Sequence, residues 1–407
     1  MPVLNKMLKS FPFRGREQAG PGARTLLMPS TLLLNHRTEP LPATARPGTG
    51  VQAFHQRLPG YAPTPLRDAP GLAATCSVGR VLVKDESIRM GLPAFKILGA
   101  SWATYRVLCD RLGGEPEWSS LEELAAVVAA RLGPLRLVAA TDGNHGRAVA
   151  HMARLLGLAA TVLVPEGTAA ARIAGIESEG ADVEVVAGSY DDAVALSAAM
   201  AGDRDLVVSD TSWPGYDDPP RWVIEGYSTI FAEVEAQLRG LGVSGVDAAV
   251  VPIGVGALAA SAALCLRSGR EPGDGPLLVG VEPDDSACVA AAVAAGHVVE
   301  LPGPHRSIMA GLNCGLASML ALPAIAAGFD AFLAVDDKRC REAMVAMAGA
   351  GMDVGETGAA ALAGLQALVE DHRDSLPLPP EATVLLLATE GPTDPLAFAD
   401  IVGRLPG

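Results

Sequence analysis

Short, unbroken apolar runs recur along this chain, and between them the apolar positions change to helical spacing. Arg80-Val81-Leu82-Val83-Lys84 predicts a strand, and so do Leu135–Ala140, Thr161–Val164, Val183–Val186, Leu206–Val208, Ala248–Ile253, Leu277–Val281 and Thr383–Leu387. After Lys96, the residues Leu98, Trp102, Tyr105, Cys109 and Leu112 fall on one face of a helix, and Val149, Met152, Ala153 and Leu156 repeat that pattern. Strands apolar on both faces and separated by helices predict parallel sheets covered on both sides. The expected fold class is α/β, doubly wound, with ligands held at the carboxyl ends of the strands.

Residues 1–60 carry no sustained period and many Pro, Arg and Thr, so an irregular N-terminal arm is expected there. Tyr61-Ala62-Pro63-Thr64-Pro65-Leu66 follows as a stiff extended segment, because each proline also restricts the residue before it. With 407 residues, 49% hydrophobic and only 4% aromatic, the chain can bury a large core in one or two domains. A net charge of −15 argues against nucleic acid as a partner, since phosphate contacts need clustered Lys and Arg. An anionic small molecule stays possible, because local backbone dipoles bind anions whatever the global charge.

The six cysteines, Cys76, Cys109, Cys265, Cys288, Cys314 and Cys340, form no Cys-x-x-Cys, and the seven histidines form no His-x-x-x-His. No metal site is expected, and scattered thiols fit a reduced, cytoplasmic protein. The N-terminus has no apolar core of a secretory signal, and no apolar run reaches the length of a membrane span.

Four strand ends carry candidate chemistry. Thr141-Asp142-Gly143-Asn144-His145-Gly146 exposes backbone N–H groups at a helix start, which suits a carboxylate or phosphate and also an ordinary N-cap. Gly254-Val255-Gly256-Ala257 reads as a phosphate cradle leading into a helix. With Glu282 ending the next strand, it also fits a dinucleotide-binding unit, which keeps a nicotinamide-dependent oxidoreductase as a rival reading. Thr389, in Ala388–Asp394, is placed to bond a ligand heteroatom or to cap a turn. Asp210, after Leu206–Val208, is either an acid of the site or a solvated strand end. A fifth candidate is Lys96, between Phe95 and Ile97. A desolvated amine there would serve Schiff-base chemistry, whereas a lysine whose stem packs on apolar surface would serve none.

The order of these features is more specific than any one of them. A lysine, an asparagine-containing anion loop, a glycine loop and a late hydroxyl-bearing turn follow one another between about Tyr61 and Ala399. In this the chain resembles the fold-type II pyridoxal-phosphate (PLP) enzymes, the tryptophan synthase β-subunit and threonine dehydratase group. The resemblance implies two doubly wound α/β domains with the cofactor in the cleft between them. Residues 61–98 and 214–407 would form a large PLP-binding domain, and residues 99–213 a small mobile α/β domain. It also implies that Lys96 forms the Schiff base with PLP and that Asn144 contacts the phenolic oxygen. Gly254, Val255, Gly256 and Ala257 would bind the phosphate, and Thr389 the pyridine nitrogen. A homodimer is usual in this group.

Within the group, several segments look like those of diaminopropionate ammonia-lyases. They are Lys84-Asp85-Glu86-Ser87, Ala94-Phe95-Lys96, Ala140–Gly146, Ile308–Gly315, Gly355–Ala359 and Thr389–Asp394. Asp142 stands where serine and threonine dehydratases usually carry Ser, and a carboxylate there would attract a substrate ammonium or act as a base at Cα. The resemblance implies α,β-elimination of D- or L-2,3-diaminopropionate to pyruvate and ammonia. Asp142 would serve the L-isomer and Asp210 the D-isomer, with Thr141, Asp142, Gly143 and His145 binding substrate. A serine, threonine or hydroxyaspartate dehydratase is the alternative.

Overall fold

The computed structural model describes residues 30–36, 39–141, 143–271 and 274–407. Asp142 therefore lies outside the described residues, as do 1–29 of the N-terminal arm. Two sheets organise the chain. The larger has seven strands: β1 (Thr31–Leu34), β2 (Leu66–Asp68), β3 (Arg80–Asp85), β8 (Ala248–Pro252), β9 (Leu277–Pro283), β10 (Ala331–Val335) and β11 (Thr383–Ala388). The smaller has four: β4 (Arg136–Ala140), β5 (Ala159–Pro165), β6 (Asp182–Val186) and β7 (Asp205–Val207).

The large sheet runs β1-β10-β9-β8-β11-β3-β2 and the small one β6-β5-β4-β7. The small sheet is wholly parallel, and so is the centre of the large one; only the edge pairs β1–β10 and β2–β3 are antiparallel. Central strands such as β3, β8 and β11 are buried along nearly their whole length, which is why they read as continuous apolar runs. Two hydrophobic clusters lie on opposite faces of the large sheet, Leu82 and Leu385 belonging to one, Val81 and Leu386 to the other.

The arm expected to be irregular departs from that expectation in its described part. Thr31–Leu34 adds an edge strand to the large sheet, and Gly50–His55 is a short helix whose Val51, Phe54 and His55 are buried. Among the described residues, no helix is long and apolar enough to cross a membrane.

This topology places the site. β8 lies beside β11, which lies beside β3, while β4 lies between β5 and β7. The loops after β3, β8 and β11 and those after β4 and β7 all leave carboxyl ends of parallel strands, where ligands of open α/β sheets are held.

Candidate active site

The segment that delivers Lys96 is fixed before the helix begins. Arg89 and Leu92 exchange backbone bonds of 2.8 and 3.0 Å around Met90 and Gly91, both at positive φ (51° and 78°). The buried Arg89 guanidinium bonds Glu86 and Glu233, and buried Lys84 bonds Glu233 and the Thr64 carbonyl. Farther along, Gly391 N–H donates to the Pro93 carbonyl at 2.9 Å, and Ala94 bridges Glu390. Lys96 is then the first residue of the helix Lys96–Leu112, whose predicted apolar face is buried. Its side chain is only 20% exposed, and its Nζ donates to Asp210 Oδ2 at 2.6 Å. The amine therefore faces an acid across a cleft rather than bulk water.

Asp210 also accepts from the Tyr190 hydroxyl at 3.1 Å. Burial would raise its pKa, yet the charge of Lys96, the neighbouring His145 and the Lys96 and Tyr190 bonds together hold it well below the usual carboxylate range. His145 is buried, and burial, with Lys96 nearby, pushes its imidazole down. Its ring donates to the Val208 carbonyl at 2.8 Å; because a carbonyl only accepts, a proton sits on Nε2.

On the loop after β4, the Thr141 hydroxyl accepts from Gly143 N–H at 2.9 Å. Asn144 opens the helix Asn144–Leu156, and its amide donates to Glu390 Oε2 in a short bond. After β11, the Thr389 hydroxyl donates to the Thr357 carbonyl at 3.2 Å and lines the same cleft. Thr141, Asn144, His145, Tyr190 and Asp210 line one side and Gly254–Ala257, Thr389 and Glu390 another. Gly143, expected at the substrate, is buried beside the Arg172 side chain.

The loop Gly254–Ala257 has the shape of an anion cradle. Gly256 has φ +107°, and a Cβ there would come within 2.7 Å of Ile325 Cδ1. The missing Cβ lets the turn pack closely on Ile325, and the helix Ala257–Arg267 starts at the cleft, where its first N–H groups have no intrahelical acceptors. The cleft is open at its mouth and brings Lys96 and Asp210 together with Asn144, Thr389 and the Gly254–Ala257 loop. A primary amine, an anion cradle and two side chains that can bond a ring's heteroatoms fit a phosphorylated aldehyde of pyridine.

The rival nicotinamide reading fails on Glu282. Its two oxygens accept from Val289 and Ala290 N–H, each at 2.8 Å, at the start of the helix Cys288–Ala295. A carboxylate used as a helix cap is not presented to a ribose.

Sequence reasoning left Tyr190, Arg172 and Glu390 unassigned. Tyr190 and Arg172 sit in helices with no distinguishing spacing, so no local signal marks them. Glu390 lies within the Thr389–Asp394 segment singled out above, and an acid in that otherwise small turn was the available signal.

The model of the pyridoxal-phosphate dependent enzyme family matches residues 57–390. Diaminopropionate ammonia-lyase of Escherichia coli K12 is 34% identical over 380 residues, covering 90% of this chain and 94% of that protein. The crystal structure of the Escherichia coli enzyme in complex with an aminoacrylate-PLP azomethine reaction intermediate superposes with a TM-score of 0.80 at 31% identity, covering 92% and 96% of the two chains. Biosynthetic threonine dehydratase of Pasteurella multocida is more distant, 29% identical over 58% of this chain.

Proposed function

Because the chain belongs to the pyridoxal-phosphate dependent enzyme family, we propose that it is a lyase that eliminates the β-amino group of 2,3-diaminopropionate. The observation that carries this reading is the contact of Lys96 Nζ with Asp210 Oδ2 at 2.6 Å, in a cleft that also holds Asn144 and the Gly254–Ala257 cradle. A dehydratase has no need of an ionised acid at that amine; a diamine substrate does, for charge and for proton transfer. The likeness to the ammonia-lyase over nearly the whole chain supports the same substrate.

When bound, PLP supplies an electron sink for the charge that develops at Cα. The chain supplies the rest. Lys96 would anchor the cofactor through its amine. The N–H groups at Gly254–Ala257 would hold the phosphate, the Asn144 amide would donate to the phenolic oxygen, and the Thr389 hydroxyl would bond the pyridine nitrogen.

Asp210, fixed by Tyr190 beside the amine it faces, takes the Cα proton of the D-isomer, and Asp142 that of the L-isomer. The Cα–H and Cβ–N bonds break, ammonia leaves, and the enamine acid that remains takes up water to give pyruvate and a second ammonia. The ionised state of Asp210 is what this base role requires.

Residues 99–213, which contain the small sheet, are proposed to move over the cleft as a domain. Contacts such as Ser212 Oγ with Ser318 Oγ, 3.0 Å, would be remade on closure. Six scattered, buried cysteines support a cytoplasmic setting, and the resemblance supports a homodimer.

The test is pyruvate and ammonia release from a panel of D- and L-2,3-diaminopropionate, serine, threonine and hydroxyaspartate. Diaminopropionate is expected to be turned over fastest with two ammonia per pyruvate. Faster release from serine, threonine or hydroxyaspartate would overturn the substrate in favour of a dehydratase.

A further inference from the structure

We propose that Glu390 is the positioning residue that orients the Asn144 amide toward the cofactor, with Arg172 as its countercharge. The proposal rests on the reading of Asn144 as the contact to the phenolic oxygen.

Glu390 is held by its backbone from two directions. Its carbonyl accepts from Gly355 N–H at 3.0 Å, just before the helix Glu356–Asp371, and it bridges Ala94 in the segment that delivers Lys96. Its side chain is thus mounted on the same frame as the lysine. The residue is 1% exposed. Its carboxylate meets three groups: Asn144 Nδ2 through the short bond, Thr357 N–H at 3.3 Å, and Arg172 Nη2 at 3.5 Å.

The chemistry of these groups fixes the orientation. A carboxylate only accepts, so the amide must turn its NH2 end, not its carbonyl, toward Glu390. One N–H is then spent on Glu390, and the second is left to donate to an oxygen in the cleft. An asparagine without this partner could equally present its carbonyl, which would repel a phenolic oxygen. Arg172, whose side chain is 7% exposed, and the first-turn N–H of Thr357 offset the buried charge. Asn144 and Arg172 come from helices that follow β4 and β5, whereas Glu390 follows β11, so one carboxylate registers the small sheet against the large one at the cofactor.

The test is a double-mutant cycle read by cofactor affinity, from quenching of tryptophan fluorescence as PLP is added to the apoprotein. Glu390→Gln keeps the shape but lets either amide end face Asn144, and it is expected to raise the PLP dissociation constant roughly tenfold, the effect of one charge-assisted hydrogen bond. Asn144→Ala is expected to do about the same, and Glu390→Gln is expected to add little in an Asn144→Ala background. Full additivity, as general loosening of the cleft would give, overturns the proposal; so does an unchanged constant in Glu390→Gln. If Glu390→Gln does not melt cooperatively, the cycle is run with Glu390→Asp, which keeps the charge but shortens its reach and is expected to show the same coupling. Because the readout involves no substrate, it stands or falls separately from the lyase assignment.

Discussion

Lys96 Nζ and Asp210 Oδ2 lie 2.6 Å apart, joining the first residue of the Lys96–Leu112 helix to the loop after β7. Each residue belongs to a different sheet's set of loops, so the pair spans the cleft. It also places an ionised acid beside the amine proposed here to bond the cofactor. On the proposed reading, a substrate amine that takes the place of Lys96 would bring its Cα near Asp210.

Substitution of Asp210 by Asn should therefore separate the two substrate isomers. Asp210→Asn keeps the size and the Tyr190 contact but removes the base. Turnover of D-2,3-diaminopropionate is expected to fall roughly 10²-fold or more, with the L-isomer affected far less. Asp142→Asn is expected to give the opposite bias. Steady-state kinetics on both isomers check this, and equal losses would mean that the acids bind substrate rather than divide the proton transfer.

Gly256→Ala should weaken the anion cradle. Its φ of +107° is unfavourable for any residue with a Cβ, and that atom would press on Ile325 Cδ1 at 2.7 Å. A cost of about 1–2 kcal/mol is expected from the backbone alone. Isothermal titration with PLP should show at least roughly tenfold weaker binding, a factor that corresponds to about 1.4 kcal/mol.

The buried ion network ahead of Lys96 should be intolerant of losing one member. Lys84, Arg89, Glu86 and Glu233 are all essentially inaccessible, with two charges of each sign. Glu233→Gln leaves Lys84 and Arg89 facing a single carboxylate, at a cost of about 3–5 kcal/mol. Urea denaturation of the apoprotein measures this, and a loss within the scatter of surface variants would show the network to be incidental.

Glu282 gives a pH dependence. Burial pushes its carboxyl up to about 8, against the two N–H bonds that favour its anion. Between the ordinary carboxylate range, about 4.3, and that value, the folded chain binds a proton that the unfolded chain does not. The stability this group contributes is present at low pH and lost as pH rises toward 8. Wild type should therefore lose stability relative to Glu282→Gln as pH is raised from about 5 to about 8. Denaturation midpoints of both proteins at stepped pH check the sign; a constant difference would contradict it.

The strands around the site were legible because their residues are buried on both faces and read as apolar runs. β10 was not, since residues 319–335 are almost continuously apolar and no change of period separates the helix Leu322–Gly328 from the strand Ala331–Val335. β1 escaped for a different reason: Thr31–Leu34 is an edge strand ordered by its partner, and its Pro- and Arg-rich surroundings hide it. The site showed the same division. Lys96, Asn144, Gly256 and Thr389 stand in segments with their own local signals. Glu233 looks like any surface acid of a helix, and only the folded chain brings it to Arg89. Tyr190 likewise reaches Asp210 through tertiary packing alone.

Borohydride reduction of the holoenzyme, followed by peptide mass mapping, tests the central assignment most directly. The lysines of the chain are Lys6, Lys9, Lys84, Lys96 and Lys338, so few alternatives exist. Lys84 is enclosed by Thr64, Glu233 and Gln237, and Lys338 is exposed beside Glu342. The phosphopyridoxyl mass is expected on the peptide containing Lys96 and on no other, and it should vanish in Lys96→Ala. A label on another lysine, or a protein that stays unlabelled yet releases pyruvate from diaminopropionate, would contradict the account.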